Sequence, residues 1–380
     1  MKFGEIPIAE AEGAILAHSV KHGTGMFKKG RVLTRADIGL LAESGIAHVF
    51  AARLSEDDIP EDKAAETVAK VIAGEGTTVQ APFTGRANLH AHRRGLVVID
   101  AERVKAFNRV HESLTLATSA AFEIVEERQL VATVKVIPFA VPRDMLEEGL
   151  AVIGSDPVIR VESFKHRKAG LVITRLPQTK PSLIAKSEEA IRERIAALDG
   201  ELAEVMVVDH AVAPVSDAVA ALHGKNRNPI LIFGASAIVD RGDVIPAALE
   251  QAEGEVVHLG MPVDPGNLMM FGRLEGASVI GVPTCARSPK LNGFDWVLAR
   301  IMAGLHVSGQ DIMDMGAGGL LKEISTRPAP REGEETKPQK APQIAGLILA
   351  AGRSTRMGAN KLLSVINDRA MIRMTTEAML

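Results

Sequence analysis

The stretch 326–342, TRPAPREGEETKPQKAP, constrains this chain more than any other feature. It sets four prolines among seven Arg, Lys and Glu residues and offers almost nothing apolar to bury. Proline fixes φ and removes a backbone donor, so such a segment builds neither helix nor sheet ladder and reads as a linker. Apolar sequence resumes on both sides of it. A folded body therefore ends near Ser325, and residues 343–380 begin something new. The body is longer than one ordinary domain. It reads as an amino-terminal region, 1–140, and a second domain, 141–325.

Composition removes several classes of function. A net charge of -3 supplies no broad basic field, and 11 Phe, one Trp and no Tyr leave few rings to stack on bases. Nucleic acid is not an expected partner. Cys285 is the sole cysteine, which excludes an internal disulfide and fits a reducing compartment. Glu5, Glu10 and Glu12 interrupt the first apolar residues, unlike a signal peptide, and no apolar run is long enough for a bilayer. The chain reads as soluble and cytoplasmic, with no membrane partner.

Within 1–140, Thr34 reads as the N-cap of a helix with Asp37 in its first turn, Leu40 and Leu41 on the apolar face and Gly45 as its stop. A second helix starts at Pro60 and ends before Gly74. Strand-like runs at 48–54, 95–100 and 130–136 surround them, which predicts a small α+β or mostly-β region. His90 and His92 alternate along a probable strand, but adjoining Arg93 and Arg94 would repel a cation, so a solvated face is expected.

From 168 to 324 the pattern becomes regular. Apolar runs at 169–174, 204–209, 229–233, 255–260 and 278–282 alternate with helical segments at 182–198, 216–222 and 244–253. This βαβ rhythm predicts an α/β fold with a parallel sheet covered on both faces. Ligands of such sheets bind beyond the carboxyl ends of the strands. Three loops there can carry chemistry. In 234–243, GASAIVDRGD, Gly234 permits close approach, Ser236 offers a hydroxyl, and Asp240 and Asp243 could hold a metal or orient a polar ligand. Residues 261–267, MPVDPGN, and 283–293, PTCARSPKLNG, are rigid and framed by proline, and Arg287, Ser288 and Lys290 suit a phosphate. Turn chemistry alone would explain any one loop; three on one sheet edge favour a binding site. Cys285 lies in the last of them, with no His or Asp spaced to activate it.

Residues 344–361, IAGLILAAGRSTRMGANK, are the sharpest signal: an apolar strand, then a glycine-rich loop whose amides can wrap phosphates while Arg356 and Lys361 neutralise them. The string resembles the signature of nucleotidyltransferases, in the form found in molybdenum cofactor cytidylyltransferase; methylerythritol-phosphate cytidylyltransferase is similar. That resemblance implies nucleotide contacts from Leu349, Ala350, Ala351, Gly352, Arg353 and Gly358, catalytic roles for Arg356 and Lys361, and CTP with Mg²⁺.

Residues 1–325 resemble the molybdopterin-binding family that includes molybdopterin molybdotransferase and adenylyltransferase, on EGAILAHSV…FKKGRVLTRADIGLLAESGIAHVFAA and the three loops. The resemblance implies a parallel-sheet, three-layer molybdopterin-binding domain. Its pterin contacts would be Thr174, Gly234, Ala235, Ser236, Asp240, Asp243, Asp264, Pro265, Gly266, Asn267, Ala286, Arg287 and Ser288. It also implies self-association and a molybdoenzyme or its chaperone as partner. Two departures matter. Ala235 replaces a glycine of the family's Gly-Gly-x-Ser loop, and TRLPQTKPS at 174–182 stands in place of an acidic loop. The segment after the linker is also too short to bury a transferase core, so a truncated transferase is expected. The leading expectation is a pterin-binding cofactor-maturation protein that in full length transfers a cytidylyl group. The alternatives are a non-catalytic pterin carrier and a methylerythritol-phosphate enzyme.

Overall fold

The computed structural model describes residues 1–321 together with 365–366, 368–370 and 373. The chain divides into two compact units, Met1–Lys322 and Glu323–Leu380. The described part of the second is an antiparallel pair, Val365–Ile366 with Arg369–Ala370, turning at Asp368. The nucleotide residues Leu349 to Gly358, with Arg356 and Lys361, lie outside the described residues.

The first unit contains separate cores. The amino-terminal one sets strand His48–Arg53 between Lys2–Pro7 and Ile15–Leu16, with helix Arg35–Glu43 packed through Leu41. Leu40, expected on the same apolar face, is exposed. The helix start is as the sequence reads. Thr34 Oγ1 accepts from the Asp37 amide, and Asp37 Oδ2 accepts from the Thr34 amide. Arg31 adds a two-pronged grip on Asp37 at 2.9 and 2.8 Å. That grip, with the Thr34 bonds working against the cost of burial, lowers the Asp37 carboxyl to about 2. Because the folded value is depressed, its stabilisation is complete above the ordinary 3.8 and is lost as pH falls toward 2. Asp37→Asn should therefore flatten the acid dependence of Leu41 amide exchange over that window. An unchanged profile would mean that the Arg31–Asp37 pair contributes nothing.

The second core covers roughly 58–162. Ala64, Ala65, Val68, Ala69 and Ile72 form the buried stripe of helix Glu61–Ile72, and their small side chains let it lie close on strands Arg86–Ala91 and Leu130–Val136. Two helices unanticipated from the sequence, Ala101–Asn108 and Arg143–Ile153, pack on each other here. The last strand contributing to this core is Ile159–Glu162. His90 lies within strand Arg86–Ala91 with its Nδ1 buried and unpartnered. Among the described residues no group of three His, Cys, Asp or Glu converges to hold a metal ion.

The third core is built on one six-stranded sheet. Its strands are β1 Lys168–Arg175, β2 Glu201–Asp209, β3 Ile230–Phe233, β4 Glu255–Leu259, β5 Met270–Leu274 and β6 Ala277–Val282, in the order β2-β1-β3-β6-β5-β4. The connecting helices are α1 Pro181–Ala196, α2 Val212–Gly224, α3 Val244–Gln251 and α4 Gly293–Met302. Side chains alternate between the two faces as strand geometry demands. Leu171, Ile173, Leu231, Phe233 and Ile280 pack with residues of α1 and α4. Val172, Ile230, Ile232 and Val279 pack with residues of α2 and α3.

Helix and sheet are thus mixed, as expected, but the sheet is not purely parallel. β5 runs against both β4 and β6. The cause is local. Glu275 and Gly276 both take positive φ, 43° and 86°, and turn β5 directly back into β6 with no room for a crossover helix.

Candidate functional site

Residues at the carboxyl ends of β1, β2, β3 and β6 are linked by hydrogen bonds. Thr174 closes β1 with its side chain buried. Its Oγ1 accepts from the Ala235 amide at 2.7 Å, and lies 2.9 Å from His210 Nδ1. The other ring nitrogen, Nε2, lies 3.1 Å from Ser236 Oγ, so the His210 ring bridges the two hydroxyls. Ser236 is exposed, so its hydroxyl is open to a ligand.

Arg287 forms the other wall. It follows β6 in the short 3₁₀ turn Thr284–Arg287, donates from Nε to Ser187 Oγ at 3.0 Å and from Nη2 to the Gly234 carbonyl at 3.1 Å, and stacks 4.5 Å from the Phe233 ring. Partial burial disfavours its charge and lowers its pKa, yet guanidinium remains a cation. All of its described partners are neutral. A fixed cation whose described partners include no carboxylate is suited to an anion.

The loop after Arg287 is pinned from α1. Arg194 donates to the Ser288 and Lys290 carbonyls and pairs with Asp295 at 2.6 Å. Burial raises the Asp295 pKa, and Arg194 pulls it back. Asn292 caps α4 and donates from Nδ2 to Cys285 Sγ at 3.0 Å. The Gly293 amide donates to the Pro265 carbonyl at 2.8 Å, which ties the 264–267 loop to the same framework.

The structure brings Thr174, Gly234, Ala235, Ser236 and Arg287 together and changes several expected roles. Thr174 spends its hydroxyl on positioning. Ala286 is fully buried, with its side chain in the core. Asp240 and Asp243 are not paired on a cation: Asp243 Oδ2 accepts from the Val239 and Asp240 amides, and Asp240 Oδ1 from the Gly242 amide. Those amide bonds lower the Asp243 pKa. Asp264, Pro265, Gly266 and Asn267 pack toward α4 and Gly319, one step from the cluster. Ser288 is held through its backbone by Arg194. His210 was missed because VVDHAVAP shows one histidine at a strand end, with no spacing to mark its two partners. Ser187 and Arg194 read as ordinary helix positions.

Residues 346–380 match a MobA-like NTP transferase domain. This carboxy-terminal segment is thus similar, at family level, to nucleotidyltransferases. Residues 5–53 match a domain of unknown function, DUF8806. No curated protein matches the chain. Among solved structures, a molybdopterin biosynthesis MoeA protein from Pyrococcus horikosii is 14% identical, with 80% of this chain and 75% of that one covered and a TM-score of 0.28. Among the described residues no helix is long and apolar enough to cross a membrane.

Proposed function

We propose that the third core binds molybdopterin at the carboxyl edge of its sheet, and that the whole protein uses the transferase-like segment to transfer a cytidylyl group from CTP to it. One observation carries the pterin reading: Arg287, a cation held by neutral partners, donates to the Gly234 carbonyl two residues before Ser236, whose Oγ lies 3.1 Å from His210 Nε2. The match of 346–380 to an NTP transferase domain supports the nucleotide half. In this reading Arg287 and the Ser236 hydroxyl hold the pterin phosphate, while Thr174 and His210 keep Ser236 in place. A pterin phosphate oxygen attacks the α-phosphorus of CTP, a new P–O–P bond forms, and pyrophosphate leaves. Positioning and charge neutralisation supply most of the catalysis. Among the described residues no three His, Cys, Asp or Glu side chains converge on a metal site.

The loop 176–182, LPQTKPS, carries no carboxylate at the mouth of this site, which favours binding over chemistry in the main body. The division of labour is then a pterin holder joined to a nucleotide transferase. Anaerobic calorimetric titration of the 380-residue chain with molybdopterin tests it. The expected result is a Kd on the order of micromolar, weakened about tenfold by His210→Ala, which frees Ser236 to rotate. Absence of pterin binding in the folded chain would sink the reading.

A further inference from the structure

Away from the sheet edge, residues of the amino-terminal and second cores line an open cavity of about 790 Å³. That size suits a small organic ligand. Its lining combines two features that a purely structural crevice does not need. Phe3, Ile137 and Phe139 present apolar surface, with Phe3 55% and Ile137 59% exposed at the rim. In a chain with 11 Phe, leaving such a side chain wet calls for an account. The second feature is charge. Lys29 and Lys135 line the cavity with Glu61 as the single carboxylate among its lining residues. Glu61 is 3.8 Å from Lys135 Nζ, so the pair offsets and Lys29 is left in excess. The Lys29 ammonium lies 5.7 Å from the Phe139 ring, above an apolar surface.

The wall between them is strained. Thr84, a β-branched residue, holds φ at 51° and precedes Gly85 at 70° in a two-residue turn between Phe83 and Arg86. Threonine is disfavoured there, and such outliers persist only where surroundings over-determine them. The Gly85 amide donates to Asp62 Oδ1 at 2.6 Å, and Lys135 Nζ donates to the Thr84 carbonyl. The first bond holds the turn, and the second fixes the Lys135 head at the cavity wall. A Cβ on Gly85 would stand 2.4 Å from Glu61 Oε2 and 2.9 Å from Lys135 Nζ, so the turn is fitted around these two charges.

We propose that this cavity is a second binding site, for a small organic anion with a flat apolar body. The anion is drawn to Lys29, and its body lies between Phe3, Ile137 and Phe139. The site is independent of the pterin reading, since it shares no residue with the sheet-edge cluster.

The test uses 2-naphthoate and the neutral 2-naphthalenemethanol as probes in calorimetric titrations of the whole chain. Saturable naphthoate binding is expected, with the alcohol weaker by about tenfold because it lacks the charge. Lys29→Glu should weaken naphthoate by about tenfold and leave the alcohol within about twofold, since Lys29 meets the probe only through charge. Ile137→Asp, at an exposed rim position, should weaken both probes. Neither residue is buried, so unchanged melting of each variant will separate lost binding from lost fold. Failure of naphthoate to saturate, or equal binding by wild type and Lys29→Glu, would overturn the proposal. Naphthoate binding that survives both variants would place the anion elsewhere and overturn it as well.

Discussion

Arg287→Ala should weaken molybdopterin binding by roughly 10- to 150-fold, the equivalent of losing about 1.5–3 kcal/mol from a charged hydrogen-bond donor. The effect has two parts. One is direct: the substitution removes a cation whose described partners are a serine hydroxyl, a carbonyl and a ring. The other is structural: the Gly234 carbonyl loses its donor and the Phe233 ring loses its cover, so the loop bearing Ser236 loosens. Arg287→Lys separates them. It keeps the charge but cannot reach Ser187 and Gly234 together, because an ammonium lacks the planar fork. Binding by Arg287→Lys should therefore be intermediate and more salt-sensitive than wild type. Titration at two salt concentrations reads both quantities. Wild-type affinity in Arg287→Ala would place the pterin phosphate elsewhere.

The same residue shows what the sequence could and could not tell. Arg287 is legible because it follows the continuous apolar run of β6, and residues beyond the carboxyl ends of such runs face ligands. β1 and β3 are legible for the same reason: AGLVIT and the ILIF of Ile230–Phe233 are buried on both faces and so lack any polar alternation. β5 is not legible. Met270–Leu274 reads MFGRL, with a glycine and an arginine inside five residues, and its place depends on the Glu275–Gly276 turn more than on its own propensity. Helix Ala101–Asn108 buries only Phe107, so tertiary packing rather than a repeating stripe makes it a helix. Asp240 and Asp243 were legible as turn residues or as ligands, and only their amide partners decide between the two.

Long-range pairings account for the rest of the site. His210 and Ser236 are 26 residues apart, and Arg287 and Ser187 are 100 apart. No local spacing encodes either contact. Both follow from strand order, because β1 and β3 are neighbours while β2 flanks β1 on its outer side. The sheet order therefore carries the site information that motif reading lacks.

Gly266→Ala should destabilise the third core by about 2–4 kcal/mol, through both left-handed strain and a steric clash. Gly266 holds φ at 142°, and a Cβ there would stand 2.8 Å from the Gly293 nitrogen and 3.0 Å from its Cα. Both opposing atoms are backbone at the start of α4, so neither can swing aside. The loop must lift, which breaks the bond from the Gly293 amide to the Pro265 carbonyl. Gly276→Ala is the matched control. Its φ is 86°, but nothing lies within 4 Å of its Cβ position, so only the backbone cost of about 1 kcal/mol applies. Trp296 is the sole tryptophan and sits in α4, so urea unfolding followed by its fluorescence reports on this core. A larger midpoint loss at Gly266 than at Gly276 is expected. Gly266→Ala should also weaken pterin binding, because Asn292, which caps α4, holds Cys285 in the turn that ends at Arg287. Equal losses at the two glycines, with pterin affinity intact, would show that strain alone is at work and that the 264–267 loop does not support the Arg287 turn.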